Sequence, residues 1–429
     1  MSGGILLATT IALRGATLID GTGGLPVPDS LLIVSKGRVV LAGPATREAL
    51  RAVPTGAATI SLRGKWIVPG LIDAHVHAES DADLRQMLRW GVTAVRLMAE
   101  DVAASRALAG RASEPGSGMP DVFPAAPIFT AKGGWWDQGE PGDPNLNRFP
   151  ESVEQAREAV RKAKRLGSDE IKLMLDDMAW CRAPKPPLPR MEAGIARALI
   201  EEARTQGLRA SVHAPNWSDA KEAIEAGATA LAHGILEPLG PRPIALMKTR
   251  AITYIPTMGV FEFLADTRSF VEEVLSDPVA VAGLPPATVA RLRSAEYSET
   301  YRERYPNFES VKNRLPALRQ NLLRLHAAGV EIALGTDMWA FPGLGVSAEM
   351  ALYARAGLSP PEVLRAATQT AARSLAIDSD RGTLQAGKRA DFLVLSGDPL
   401  SDVKNVRKIL DVYKNGVRVG PPAAAAALE

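Results

Sequence analysis

The chain has 429 residues and a mass of 45.6 kDa, room for two or three domains at roughly 100–200 residues each, or for one barrel of about 250 with an appendage. Apolar residues make up 46% and charged residues 23%, and 50 basic side chains against 48 acidic ones leave a net charge of +2 with no basic run; neither nucleic acid nor an anionic membrane finds a footprint. A single cysteine, Cys181, excludes an internal disulfide framework and fits a reducing, cytoplasmic setting.

Residues 1–7 carry no basic stretch and do not read as a secretory signal. Residues 1–66 then alternate apolar with polar or small residues over 12–19 and 31–42, with turns at Asp20-Gly21, Gly23-Gly24 and Lys36-Gly37. Residues 378–420 share that texture, with strands expected at 391–395 and 411–416. Two β-rich ends around a different middle predict one small β-sandwich domain assembled from both termini. Residues 421–429, five alanines followed by Leu-Glu, read as a cloning scar.

The middle, residues 67–377, changes rhythm. Short apolar runs predict strands near 71–78, 92–98, 122–129, 170–175, 208–214, 229–234, 251–257 and 331–336. Helical stretches alternate with them, most clearly at 152–166, 191–206, 217–226, 310–328 and 360–376. Eight βα units predict an α/β fold, a (β/α)8 TIM barrel. Residues 258–310 exceed a normal connection and predict a helical insertion over the barrel mouth. No run reaches the ~18 apolar residues that a membrane span needs.

Scarce residues fall in telling places. The chain has five histidines. In Leu71-Ile-Asp-Ala-His-Val-His77, strand alternation puts Asp73, His75 and His77 on one face. A His-x-His pair alone is equally well explained by two half-buried histidines. His213 and His233, however, end the fifth and sixth predicted strands, and Asp337 ends the eighth, where barrel enzymes place their chemistry. Imidazoles plus a carboxylate, without thiolate, suit zinc or another borderline divalent ion. Lys172 ends the fourth strand at the same level. As an ammonium it is either a solvated side chain or a substrate anchor; capped by carbon dioxide as a carbamate, it becomes an anionic oxygen donor. His326 lies on a helix and reads as a packing or surface residue, and Cys181 as inert.

Taken in order, the motif at residues 67–78, then Lys172, His213, His233, Gly335-Thr-Asp337, residues 358–368 and Gly387-Lys-Arg-Ala-Asp391 resemble the amidohydrolase superfamily, in the branch holding imidazolonepropionases and the prolidase-like and ochratoxinase-like peptidases. The resemblance implies two divalent metal ions bridged by carboxylated Lys172. One ion would be held by His75, His77, Lys172 and Asp337, the other by His213, His233 and Lys172. Asp337 would move the proton while a metal-bridging hydroxide attacks an amide or peptide C–N bond. A mononuclear imidazolonepropionase would lack the lysine ligand, so Lys172 speaks against that assignment. Two departures from the pattern affect substrate contacts rather than the metal centre: Leu97 stands where many relatives carry an acid, and Gly133-Gly134-Trp135 replaces a frequent Gly-Gly-His.

Trp135, Trp136, Trp180, Trp217 and Trp339 fall in loops after predicted strands, joined by Phe261, Phe263 and Phe341. Trp135, Trp136, Trp180 and Trp339 are the expected substrate contacts, favouring a dipeptide or N-acyl amino acid with an apolar or aromatic flank. Arg182, Lys185 and Arg190 could meet a substrate carboxylate. Esters, lactones, carbamates and phosphotriesters are alternatives on the same centre, and a catalytically silent scaffold is the rival of another class. The expected partners are a small-molecule substrate and further copies of the chain.

Overall fold

The computed structural model describes residues 10–78, 80–99, 101–137 and 146–419. The segments read as a leader-free start and a terminal scar lie outside them.

Both chain ends build β-structure. Ile11–Arg14, Ser30–Ser35, Arg38–Pro44 and Ala58–Ser61 form a four-stranded sheet. Thr17–Leu18 and Trp66–Pro69 join Phe392–Leu395, Ile409–Lys414 and Val417–Arg418 in a five-stranded sheet. Alternation works here as the pattern dictates: Leu13, Leu18, Leu32, Val34, Ile67, Phe392 and Val394 point into one shared core. Phe392 and Tyr413, cross-strand partners, stack at 4.3 Å. The expected strand at 12–19 is broken at Gly15, whose φ of +85° turns the chain.

The middle of the chain alternates parallel strands with helices. Leu71–Val76, Val92–Met98 and Asp121–Ala125 form one parallel sheet. Ile128–Phe129, Glu170–Met174, Arg209–His213, Ala230–Ala232, Thr253–Ile255 and Glu331–Ile332 form another. Backbone hydrogen bonds join the two sheets at both ends: Ala74 N to Leu334 O and Asp337 N to His75 O on one side, Ala126 N to Glu170 O on the other. The strands thus run in chain order around a ring, the β/α barrel topology.

Two expected elements are split for local reasons. Pro127 has no N–H to give a ladder, so 122–129 becomes two strands that pair with different neighbours. The expected helix 360–376 is α over Pro360–Arg365, widens to a π turn over Ala366–Thr370 and resumes over Ala371–Ser374. There the Ala366 carbonyl accepts from Leu334 N at 3.0 Å instead of serving only its own helix.

Capping residues start the outer helices where the pattern asks for them. Ser80, Ser152 and Asn216 each accept the backbone N–H three residues on. The helix Val153–Arg165 buries Ala156, Ala159, Val160 and Ala163, the three-four spacing of one helical face. The insertion after the seventh strand holds helices Met258–Ala265, Thr267–Val274, Pro278–Ala282, Pro286–Arg293 and Ala295–Arg304. Barrel and sandwich are pinned together by Asp121, which meets Lys414 at 2.8 Å and Arg381 at 2.5 Å. Among the described residues no helix is long and apolar enough to cross a membrane.

Candidate metal centre

Strand Leu71–Val76 is buried throughout. Alternation sends Asp73 and His75 the same way, and His77 follows just past the strand end. Asp73 is spent on structure. It accepts from Thr336 N at 2.9 Å, from the Thr336 hydroxyl at 2.6 Å and from His75 N at 3.1 Å. These bonds clamp the first strand to the eighth, although burial still pushes the carboxyl up to about 7. Gly335 permits the close approach, since a Cβ there would lie 2.9 Å from that of His75.

The clamp delivers Asp337. Its φ of +52° is left-handed, and its carboxyl lies 3.7 Å from His75 Nε2, 3.5 Å from His77 Nε2 and 3.6 Å from His233 Nδ1. Donor atoms of His75, His233 and Asp337 all fall within 4.8 Å of one another, a group able to hold one ion. The His213 and His233 rings sit 4.4 Å apart at the ends of adjacent strands. Lys172, in register with Ser211 on the next strand, is 1% exposed at the same base. A solvated lysine is therefore not what the fold makes of it.

Each imidazole is oriented by a neighbour. The Thr257 hydroxyl lies 2.8 Å from His233 Nδ1, leaving Nε2 for other work. Asp176, 4% exposed, lies 3.3 Å from His213 Nε2 while also accepting from the Trp180 indole N–H at 2.6 Å. A carboxylate there keeps the proton on Nε2 and frees Nδ1.

On these residues four buried atoms have no hydrogen-bond partner among the described residues: His75 Nδ1 and Nε2, His213 Nδ1 and Lys172 Nζ. Buried unpaired polar atoms are costly, and their convergence is what a metal-binding group requires. Electrostatics agrees. Burial, then the Lys172 cation, holds His75 well below the ordinary imidazole range and lowers His77 to about 3. Burial likewise lowers His213 and His233. Neutral imidazole is the ligating form. Burial lowers Lys172 to about 7 against the pull of Asp337, and raises Asp337 to about 7 against the pull of Lys172. Lowering the lysine in this way raises the share of neutral amine, the form that adds carbon dioxide. The donor set fits a divalent metal ion.

Above this base lies a cavity of about 300 Å³. His77, Lys172, His213, His233 and Asp337 line its floor; Trp135, Trp136, Trp180 and Trp339 line its walls. Trp136 stacks on His77 at 4.9 Å. The insertion adds Phe261, Tyr301, Arg304 and Tyr305. Not every expected residue arrives. Trp217 does not line the cavity, and Phe263 and Phe341 are fully buried behind it. The cations expected at the rim are also committed elsewhere: Arg190 to Asp219 and to Glu222 at 2.8 Å, Lys185 to the Glu303 carbonyl at 2.8 Å, Arg182 to the Pro186 carbonyl at 3.4 Å. His326 meets Glu362 at 2.8 Å, far from the floor in role, and the Cys181 thiol is buried and pushed up.

Sequence reasoning passed over Asp176, Thr257, Tyr301, Arg304 and Tyr305. Asp176 carried a signal, two residues beyond a strand that ends beside a ligand. Of the other four, Thr257 precedes the first insertion helix and Tyr301, Arg304 and Tyr305 lie in or just after the last of the short ones, where periodicity does not point.

Residues 66–419 match the amidohydrolase family. Ochratoxinase of Aspergillus niger is 27% identical over 321 residues, covering 72% of this chain but only 58% of that relative's length. Imidazolonepropionase of a Methylobacterium species is 28% identical over 415 residues, covering 89% of this chain and 91% of that one. The crystal structure of a Xaa-Pro dipeptidase with methionine in its active site shares the fold at a TM-score of 0.74, with 20% identity over 95% of this chain and 99% of the other.

Proposed function

Starting from a chain that belongs to the amidohydrolase family, we propose that it is a metal-dependent hydrolase of an amide or peptide C–N bond. The observation that carries the reading is the convergence of His77, His213, His233, Lys172 and Asp337 at the floor of one aromatic-walled cavity, with the fully buried His75 beside Asp337 and buried nitrogens left unpartnered. His75, His77, Asp337 and carboxylated Lys172 would hold one divalent ion, zinc by its donors, and His213, His233 and Lys172 the other. Such a pair supplies a deprotonated water near neutral pH and polarises the scissile carbonyl.

The protein's own groups do the rest. Carboxylation of Lys172 starts from the neutral amine, forms an N–C bond to carbon dioxide and releases one proton; with the proton already lost from the ammonium, a cation among imidazoles becomes an anion for two protons released. Thr257 orients the His233 ring through Nδ1, and the Asp176 carboxylate, which only accepts, holds the His213 proton on Nε2. Asp337, beside three imidazoles at the floor, takes a proton on a carboxylate oxygen and gives it to the leaving nitrogen, whose expulsion as an anion would otherwise dominate the barrier. The tryptophan walls exclude water and hold an apolar or aromatic flank, which favours a dipeptide or N-acyl amino acid.

The test is hydrolysis of a panel of dipeptides, N-acyl amino acids, aryl esters and lactones, with and without chelator. Chelator-sensitive cleavage strongest on amides is expected. Cleavage confined to esters or lactones moves the assignment to those bonds, and no chelator-sensitive cleavage sinks it.

A further inference from the structure

We propose that Arg304 forms an anion subsite at the mouth of the cavity and selects amides whose apolar flank ends in a carboxylate. This inference rests on the hydrolase reading for the amide and on independent geometry for the anion.

Among the described residues, the cations that line the cavity are Lys172 and Arg304. Lys172 is buried at the floor among the imidazoles. Arg304 stands at the end of the insertion helix Ala295–Arg304. Its guanidinium carbon lies 5.3 Å from the Trp135 ring centre and 5.6 Å from that of Tyr305. Two aromatic faces therefore set its position, and ring contacts occupy a guanidinium face rather than its N–H edge. Among the described residues that edge has no carboxylate to meet. The neighbouring arginines differ: Arg293 pairs with Glu272 at 3.3 Å and Arg319 with Glu262, whereas no described acid lies in ion-pair range of Arg304. A planar fork with free N–H groups, held on rings at a cavity rim, is built for a carboxylate.

Position sets where on the substrate that carboxylate sits. From the floor, His77 stacks on Trp136 at 4.9 Å, Trp136 meets Trp135 at 6.3 Å, and Arg304 lies over Trp135. Two indoles separate the ligand histidine from the guanidinium. The anionic group is thus remote from the scissile carbonyl, with an aromatic or aliphatic body between them. Among the described residues Asp337 is the acid that lines the cavity, and it lies at the floor.

The matched pair 4-carboxybenzanilide and 4-carbamoylbenzanilide carries the same scissile amide and differs in the distal charge. Binding to the zinc-loaded protein is read by quenching of tryptophan fluorescence, and turnover by aniline release. A charge-assisted pair at this rim predicts a ten- to hundredfold tighter acid, about the range for hydrogen bonds to charged groups, and an acid-to-amide ratio near one in Arg304→Gln. A ratio near one in the unaltered protein, or an acid preference that survives Arg304→Gln, overturns the subsite. Cleavage of both compounds without preference leaves the hydrolase reading standing and removes the subsite. Arg304-dependent binding of the acid without aniline release supports the subsite and counts against the hydrolase reading.

Discussion

Replacing Asp176 by Asn tests whether a carboxylate beside the floor decides how His213 is presented. The side chain is 4% exposed and has two neighbours that matter, Trp180 Nε1 at 2.6 Å and His213 Nε2 at 3.3 Å. Asn is nearly the same shape, so the helix and loop around it lose little. Both contacts fall on one carboxylate oxygen, Oδ2, so the Asn amide oxygen takes that place, and a neutral acceptor holds the Nε2 proton less firmly than an anionic one. The imidazole then populates the tautomer protonated on Nδ1. That is the atom left without a partner in the buried floor, and protonation there closes the lone pair a metal needs. Loss of such an orienting partner costs about 10- to 100-fold in metal affinity, or roughly 1.4–2.7 kcal/mol. Competition with a chromophoric chelator measures it directly, with far-ultraviolet circular dichroism as the check on folding. An Asp176→Asn protein that is folded and binds zinc as tightly as the unaltered chain refutes the tautomer argument.

Gly335→Ala places a methyl 2.5 Å from Ile255 Cγ2 and 3.0 Å from His75 N; a loss of about 1–3 kcal/mol in denaturant stability is expected, with metal binding weakened because His75 must move, and an unchanged midpoint would contradict the close packing. Trp136→Ala removes the ring stacked on His77 and is expected to raise KM several-fold to tenfold for aromatic amides while kcat falls less, measured by steady-state kinetics. Glu362, lowered to about 2 by bonds to Ser359 and then to His326, contributes stability that is present above its ordinary value near 4.5 and lost as pH falls through about 2. The carboxylate is 43% exposed, so solvent screening keeps this contribution under about 1 kcal/mol. Melting of Glu362→Gln should accordingly fall slightly below the unaltered chain at pH 5 and converge with it towards pH 2; a gap that widens on acidification has the wrong sign.

The floor was legible because its parts obey short-range rules. His75 and His77 stand two apart, and His213, His233 and Asp337 each close an apolar run, which places them towards one end of the strands; Lys172, expected at a strand end, instead sits mid-strand in register with Ser211. The aromatic walls were partly legible: Trp135, Trp136, Trp180 and Trp339 follow strand ends, but so does Trp217, which opens an outer helix instead. Whether a residue just past a strand turns inwards depends on loop geometry that spacing does not encode. Arg304 and Tyr305 illustrate the larger gap. They come from a helical insertion whose docking is set by buried contacts such as Phe263 against Tyr301 and Trp339, and no local pattern announces that surface. The split at Pro127 follows from its missing N–H, whereas the π turn at Ala366–Thr370 depends on Leu334, which is distant in sequence.

The central claim is a two-ion centre bridged by carboxylated Lys172. Its most direct test is the metal-to-chain ratio of the protein reconstituted with zinc and bicarbonate, by inductively coupled plasma mass spectrometry, alongside Lys172→Ala. Two ions per chain, falling to one or none when Lys172 is replaced, is the predicted result. One ion or none in the unaltered chain, or two ions that persist without Lys172, contradicts it.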